Sequence, residues 1–431
     1  MSKEVSKKKK IGKLELFFDI FSIIFLIGFI CFYGYRMIYY KNKFLPKNKN
    51  GQNITLLSNK IKENITTTGD GLYNEENNYI FKGENVNNYI KYSNMLFRVI
   101  KIKKDNTIEI IIEDTLNYLS YDIDKVNYNE SNLKKYLNDI FYKNINNTLL
   151  VKSPYCTDII DDVNNINCNN IEIDYIKLLS LTDYLNSKNN TNSYLDSESI
   201  IWLNDSNNDS VWLVNNGNLS LSKPNELYQV RPVITLNNLV EFNGGDGSFD
   251  NPYTINENKS YFSSYVKLEN DLYRVYDIDG DILKLQAEDI YNDGNIKYQL
   301  SNTSNVLTLD DGLGSYLNNI IYNNLTYKDI LQECEFNTGS YDSSYENTSK
   351  TTIKSKIGIS SIIDPIFNKN KNNYYLSTPY QNDYSYIYNG SVYPAKSNIV
   401  RNISISVCIN KNKISTGDGT FSNPYKLGDE E

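Results

Sequence analysis

The chain has 431 residues, with 52 Asp and Glu against 44 Lys and Arg, a formal net charge of −8 at pH 7, and no histidine. Residues 1–50 hold 11 of the cations and 3 of the acids, so everything beyond them carries 33 cations against 49 acids. Such an acidic body excludes phosphate-backbone binding, which needs clustered cations, and the missing histidine excludes Ser-His-Asp, Cys-His and His-metal chemistry. Nucleic acid is therefore not an expected partner, and no cofactor, metal or catalytic residue is predicted.

In chain order, residues 1–15 read as a basic cytoplasmic tail. Residues 16–38 are predicted as one transmembrane helix, because Ile20 to Tyr35 is free of charge and rich in Ile, Phe and Leu, with Asp19 and Arg36 near its ends. Lysines flank both ends almost equally, so the N-terminus is placed inside on the ground that long downstream domains translocate largely regardless of charge. Residues 39–68 are polar, Asn- and Lys-rich and weakly patterned, and read as a stalk or linker.

From there the chain repeats. The phrase Gly245-Asp246-Gly247-Ser248-Phe249-Asp250-Asn251-Pro252-Tyr253 returns as Gly417-Asp418-Gly419-Thr420-Phe421-Ser422-Asn423-Pro424-Tyr425, and a looser form, Gly69-Asp70-Gly71-Leu72-Tyr73, stands ahead of both. These phrases bound a first domain over 69–255 and a second, diverged one over 256–427. The first reads as strands at Tyr89–Lys91, Met95–Ile102 and Thr107–Ile112, with a turn at Lys104-Asp105-Asn106. A helix follows with Leu133, Tyr136, Leu137, Ile140 and Phe141 at helical spacing, then a short helix near Leu178–Leu185 capped by Ser180. Short strands at Ile200–Leu203, Val211–Val214 and Val230–Leu236 close the domain, with Asn215-Asn216-Gly217 as a tight turn.

The second copy replays this order at an offset of about 176: Tyr89, Lys91, Asn94, Leu96, Arg98 and Val99 match Tyr265, Lys267, Asn270, Leu272, Arg274 and Val275. The helix recurs with Leu313, Tyr316, Leu317, Ile320, Ile321 and Tyr322, and Asp183 is echoed by Asp364. The order strands, helix, helix, strands predicts an α+β class: one N-terminal transmembrane helix followed by two tandem domains.

Met95-Leu96-Phe97-Arg98-Val99, Ile201-Trp202-Leu203, Val211-Trp212-Leu213-Val214 with Gly217, Val230-Arg231-Pro232-Val233-Ile234-Thr235-Leu236 and the closing Asn-Pro-Tyr carry a family likeness. Over about residues 69–427 the chain resembles uncharacterised, often membrane-anchored bacterial domains with a C-type-lectin-like fold, related to the formylglycine-generating-enzyme type. In the second copy the pattern is degraded, with Asn402 where the first has Pro232 and Tyr in place of both Trp. The resemblance implies a fold whose terminal strands meet, and a fold alone does not deliver function.

Candidate chemistry is sparse. Cys156 and Cys168 enclose a loop rich in Asp and Asn and, outside the membrane, form a possible disulfide; Cys334 and Cys408 lie in different contexts and match no catalytic pair. Asp277-Ile278-Asp279-Gly280-Asp281 with Glu288 imitates a calcium loop, but Ile282 stands where Gly is required, and the repeat makes it a hairpin turn. Trp202-Leu203-Asn204-Asp205 and Lys223-Pro224-Asn225 imitate lectin calcium motifs in the wrong order.

Trp202, Trp212 and Arg231 are the candidate ligand platform, since aromatics stack on sugar rings and Arg forks onto carboxylates; the competing reading places them in the core. The expectation is a single-pass protein of the bacterial cell membrane whose extracellular tandem domains bind an envelope glycan, wall polymer or protein. The alternative is a structural or protein-interaction module without a small-molecule site, and a non-histidine enzyme stands third.

Overall fold

The computed structural model describes seven positions between Ser22 and Tyr33, then residues 54–428 apart from 117, 197–198, 292–306, 339–350, 366–372, 381–382, 389–390 and 396–399. The chain divides into two compact units, residues 1–55 and 56–431. In the first unit the described positions are helical, and Phe25, Leu26, Phe29, Phe32 and Tyr33 are exposed. Among the described residues no helix is long and apolar enough to cross a membrane, and most of the span predicted over 16–38 lies outside them. The α+β class behind a transmembrane helix is thereby corrected: the chain is mostly β, with 40% strand against 17% helix. The physical reason is that the helices are short, while the many Ile, Val and Tyr runs favour the pleated sheet.

The second unit opens on α1 (Leu57–Ile61), whose Leu57 and Ile61 are fully buried, so the stretch read as a stalk over 39–68 contributes these two residues to the core. Repeat one continues through β1 (Gly71–Glu75), β2 (Asn78–Lys82), β3 (Tyr89–Tyr92), β4 (Met95–Ile102), β5 (Ile108–Ile112) and β6 (Tyr118–Ser120). The helix α2 is built from Asn132–Tyr136, a wider π turn at Leu137–Phe141, and Tyr142–Asn144. Then come β7 (Ser153–Cys156), β8 (Ile171–Asp174), β9 (Ile176–Lys177) and α3 (Leu181–Asn186). The repeat ends with β10 (Ile201–Ser206), β11 (Val211–Asn215), β12 (Asn218–Ser222), β13 (Leu227–Gln229), β14 (Val233–Leu236), β15 (Phe242–Gly244) and β16 (Thr254–Ile255).

Repeat two runs β17 (Tyr265–Leu268), β18 (Asp271–Asp279), β19 (Ile282–Ala287), then a helix α4 made of Gly312–Tyr316, a π turn at Leu317–Ile321, and Tyr322–Asn324. It continues with β20 (Cys334–Asn337), β21 (Thr352–Ser355), β22 (Ile357–Ile359), β23 (Tyr374–Tyr380), β24 (Asp383–Tyr388), β25 (Ser391–Ala395) and β26 (Asn402–Ile403). The last strands are β27 (Ile405–Asn410), β28 (Ile414–Thr416) and β29 (Tyr425–Leu427).

Each repeat has one large sheet and one smaller one. The large sheets have the orders β1-β2-β4-β5-β14-β9, with β3 also on β4, and β22-β27-β19-β18-β17-β29-β28. The shared strands β4 and β18 carry a bulge at the same place, between Val99 and Lys101 and between Val275 and Asp277. The two helices widen at the same place too, opposite Asn138 and Asn318. Each amide donates back to the carbonyl four residues earlier, Lys134 at 3.1 Å and Gly314 at 2.9 Å, a side-chain insertion of the kind that distorts helices.

The phrase Gly245–Tyr253 folds as a turn, with Asp246 and Gly247 N–H both donating to Asn251 O, and its Tyr253 lies parallel to Ile90. Gly245 has φ +87°, and a Cβ there would meet Pro252 O at 2.1 Å, so the phrase tolerates no side chain at this point. The looser phrase at Gly69 is different: Leu72 sits in the core on β1, and Asp70 caps the backbone N–H groups of Glu84 and Asn85.

That β1–β2 hairpin distinguishes the repeats. It lies against the second half of β4, pairing Tyr79 with Ile102 and Ile80 with Lys101. The matching edge of β18 is met instead by repeat one, where Asn144 Oδ1 accepts Ile278 N–H at 3.0 Å and Lys143 Nζ lies 3.5 Å from Asp277.

Candidate functional site

Two charges interrupt otherwise apolar strands of repeat one, and they meet. Glu109 stands among Ile108, Ile110, Ile111 and Ile112 on β5, fully buried, and Lys177 ends β9 at 5% exposure. The bulge in β4 turns Lys101 opposite Glu109 in the ladder. Lys101 Nζ then lies 3.2 Å from Glu109 Oε2 and 2.6 Å from Asp183 Oδ1. Lys103 and Lys177 reach Glu109 Oε1 at 2.5 Å and 2.9 Å. Ser153 Oγ donates to the same oxygen at 2.9 Å and accepts from Lys103 at 3.1 Å.

Burial drives the Glu109 carboxyl upward, but Lys101, Lys177 and Lys103 together overcome it and hold it well below the usual carboxylate range. The ammonium of Lys103 is pushed down by burial, against the pull of Glu109. Nearby, burial raises Asp205 to about 7, offset in part by the Leu181 N–H that donates to it at 2.6 Å. Lys101, Lys103 and Lys177 thus surround the Glu109 carboxylate, with Asp183 on Lys101, and Asp205 stays protonated up to about pH 7. The cluster carries an excess positive charge inside an acidic protein.

This cluster floors a cavity of about 690 Å³ lined by Asn78, Ile80, Lys101, Lys103, Lys104, Asp105, Thr182, Asp183 and Asn186. Its walls come from β2, the β4–β5 turn and α3, so the hairpin that, among the described residues, only repeat one has shapes it. Each ammonium has three N–H groups, and Lys101 and Lys103 contact two oxygens apiece. Their remaining N–H groups, with the exposed Lys104 and the amides of Asn78 and Asn186, supply donors suited to carboxylate, phosphate or sulfate oxygens, beside the carboxylates of Asp105 and Asp183. Ser153 beside Lys103 is only 2% exposed, which denies it the access a nucleophile needs.

The predicted platform is not assembled. Trp202 is fully buried, its Nε1 donating to Leu119 O at 2.8 Å and its ring packed against Tyr121 and Tyr228. Trp212 is half-buried, with its Nε1 on Ile160 O at 2.9 Å. Arg231 is 3% exposed and is spent on Ile112 O at 2.9 Å and Glu113 at 3.3 Å. All three residues brace the strands of repeat one, as space-filling aromatics and a paired guanidinium do.

The sulfurs of Cys156 and Cys168 are bonded to each other, across the loop that follows β7. With Asp158 they place three ligand-type atoms within 4.8 Å, but the sulfurs hold one another and Asp158 accepts from Asn169 and Asn170. A second disulfide, Cys334 to Cys408, was not foreseen. Cys334 begins β20 as Ser153 begins β7, and Cys408 faces Lys284 in the ladder as Thr235 faces Glu109. Repeat two therefore sets a covalent bridge where repeat one sets the ionic cluster, and its Asp277–Lys284 pair at 3.1 Å reverses the charges of Lys101–Glu109. The calcium imitations resolve as structure: Gly280 turns the β18–β19 hairpin, and Asn204 and Asp205 are buried.

Sequence reasoning missed the lysine cluster, although a signal existed: a Glu inside a run of isoleucines, and a Lys beside Ile176 and Leu178, each demand a buried partner. No family model, curated protein or solved structure matches the chain.

Proposed function

We propose that the protein is a binding module acting outside the cytoplasm, in which repeat one takes an anionic group of an envelope polymer, an acidic glycan or wall polymer, in the cavity above Glu109. The observation that carries this reading is the charge of the cavity lining, where Lys101, Lys103 and Lys104 stand against Asp105 and Asp183, with Lys177 and Glu109 paired in the core beside Lys101 and Lys103. Glu109 fixes the lysines in place, so an incoming anion meets preset donors rather than flexible chains, and less ordering accompanies binding. The remaining body of the chain is acidic, which favours capture of an anion at this one point and repels it elsewhere.

Location outside the cytoplasm is supported by Cys156–Cys168 and Cys334–Cys408, because disulfides persist in oxidising compartments. The resemblance of residues 69–427 to C-type-lectin-like domains favours recognition over catalysis, and it enters as support for the proposal.

The test is a screen of the intact protein against acidic polysaccharides and phosphate-containing wall polymers, followed by titration at several salt concentrations. Binding that weakens about tenfold in Lys104→Glu, roughly 1.4 kcal/mol, and declines with salt is the expected outcome. Lys104 is exposed on a turn, so the variant stays folded. Affinity unchanged by this substitution overturns the assignment of the site.

A further inference from the structure

The two disulfides differ in access. Cys168 is exposed and Cys156 half-buried, whereas Cys334 is 8% exposed and Cys408 fully buried. The accessible bridge closes the outer end of the β7–β8 hairpin, whose register runs from Ser153 opposite Asp174 to Cys156 opposite Ile171. β7 and β8 form a two-stranded sheet of their own, and Ile171 and Ile173 on β8 are 60% and 58% exposed. A two-stranded hairpin with so little packing is marginal in water, so the bridge is what keeps β8 on β7.

The inner end of the same hairpin holds the lysines. On β7, Ser153 Oγ accepts Lys103 Nζ at 3.1 Å and donates to Glu109 Oε1 at 2.9 Å, and Pro154 O accepts Lys177 Nζ at 3.2 Å. The chain leaving β8 runs directly into β9, which carries Lys177. Near the bridge, Asn204 Nδ2 donates to Cys156 O at 3.0 Å, and Trp212 Nε1 donates to Ile160 O inside the bridged loop at 2.9 Å. The Cys156–Cys168 bond therefore ties together the two segments that supply Ser153 and Lys177, and Lys103, held by Ser153, lines the cavity.

With the cavity read as an anion site, on which this assignment rests, we propose that Cys156–Cys168 is its redox switch. Bridged, the hairpin presets Lys103 and Lys177. Reduced, it frees β8, lets β7 shift and takes Ser153 and Pro154 away from the two ammonium groups. The reductant is an external dithiol. One of its thiolates attacks Cys168 Sγ, the S–S bond breaks, and Cys156 leaves as a thiolate that takes up a proton; the second thiol then resolves the mixed disulfide and releases the Cys168 thiol. Both electrons come from the dithiol, which ends as a disulfide.

The experiment compares the full chain before and after exposure to dithiothreitol, with alkylation mapping which sulfurs have opened. Cys156 and Cys168 are expected to be alkylated while Cys334 and Cys408 are not; the reverse order overturns the proposal. Acetylation of amines, mapped by mass spectrometry, reads the coupling without any ligand. It is expected to rise about tenfold at Lys103 and Lys177 on reduction, as local opening frees them, and to fall again on reoxidation. Equal labelling in the two states overturns the switch whatever the ligand does. A glycerol-phosphate oligomer is then titrated into both states, and binding about tenfold weaker in the reduced chain is expected from the loss of preset donors. Cys156→Ala/Cys168→Ala binds as weakly as the reduced chain and ignores the dithiol. Binding equal in both states overturns the switch and leaves the anion site standing. Redox-dependent labelling with no binding of the oligomer in either state upholds the coupling and sinks the anion site. A reduced chain that loses its cooperative unfolding transition makes the bridge a staple of the whole fold and overturns the switch.

Discussion

At the residue scale, repeat one depends on charges buried against the usual preference, and their pH response is specific. Asp205 is held neutral by burial up to about pH 7, above the ordinary carboxylate value of 3.8. A carboxyl raised in the folded state contributes stability that is complete below its unfolded pKa and lost as pH climbs to the folded one. The expected loss is up to about 1.4 kcal/mol per pH unit between roughly pH 4 and 7, levelling above. Thermal unfolding followed from pH 5 to 8 therefore shows a falling Tm that flattens near neutrality. Asp205→Asn keeps an acceptor for Leu181 N–H and does not ionise, so its slope is shallower; equal slopes in the two proteins refute the assignment. Glu257 and Asp364 are also raised by burial, so a residual slope of the same sign remains in the variant. None of this was legible from residue type, because Asp205 was weighed only as part of a lectin-like calcium phrase, and neutrality is imposed by the strand that buries it.

At the scale of elements, the strands β3, β4, β5, β10, β11 and β14, the Ser180-capped helix and the Asn216-Gly217 turn were readable, whereas the β1–β2 hairpin that walls the cavity was not. Local rules determine them: Ser180 Oγ accepts Asp183 N–H at 3.0 Å, and Asn216 and Gly217 both take positive φ. The π turns opposite Asn138 and Asn318 were not readable, since helical spacing of the apolar residues is the same with or without one widened turn. Nor was the Cys334–Cys408 bridge, which joins residues separated by 74 positions and depends on β20 reaching β27. Loop-closure entropy predicts that this bridge adds about 4 kcal/mol and Cys156–Cys168 about 3 kcal/mol. Chemical denaturation of Cys334→Ser/Cys408→Ser, compared with Cys156→Ser/Cys168→Ser, is expected to show the larger loss in the first pair, concentrated in repeat two. The opposite ranking shows that strain or residual structure, rather than chain entropy, dominates. The comparison matters for function because repeat one holds the equivalent point with Glu109, Lys177 and Ser153, an ionic solution that leaves charge at a cavity floor.

At the scale of the molecule, the Gly-Asp-Gly phrases bounded two adjoining domains in the sequence, but which surfaces meet was hidden. Asn94, Asn146 and Lys143 look like ordinary surface residues in one dimension, and only the fold brings them to Ser260, Asn258 and Asp277. The centre of the junction is Phe262, fully buried in the core of repeat one with its ring 6.0 Å from that of Phe141. One apolar core contains both Phe262 and residues as far along as Tyr374 and Leu376, so the repeats are expected to melt together. Truncating a buried Phe costs about 3–5 kcal/mol, and here that loss falls on the junction rather than inside either sheet. Calorimetry of the intact, oxidised chain should therefore show one endotherm in the wild type and two in Phe262→Ala, the lower belonging to the less stable repeat. A single endotherm merely shifted down would mean that the Lys143–Asp277 contact and the bonds that Glu257 accepts from Ser93 N–H and Asn146 Nδ2 couple the repeats without the aromatic pair. In that case the junction is polar at heart, and Glu257→Gln becomes the substitution that separates them.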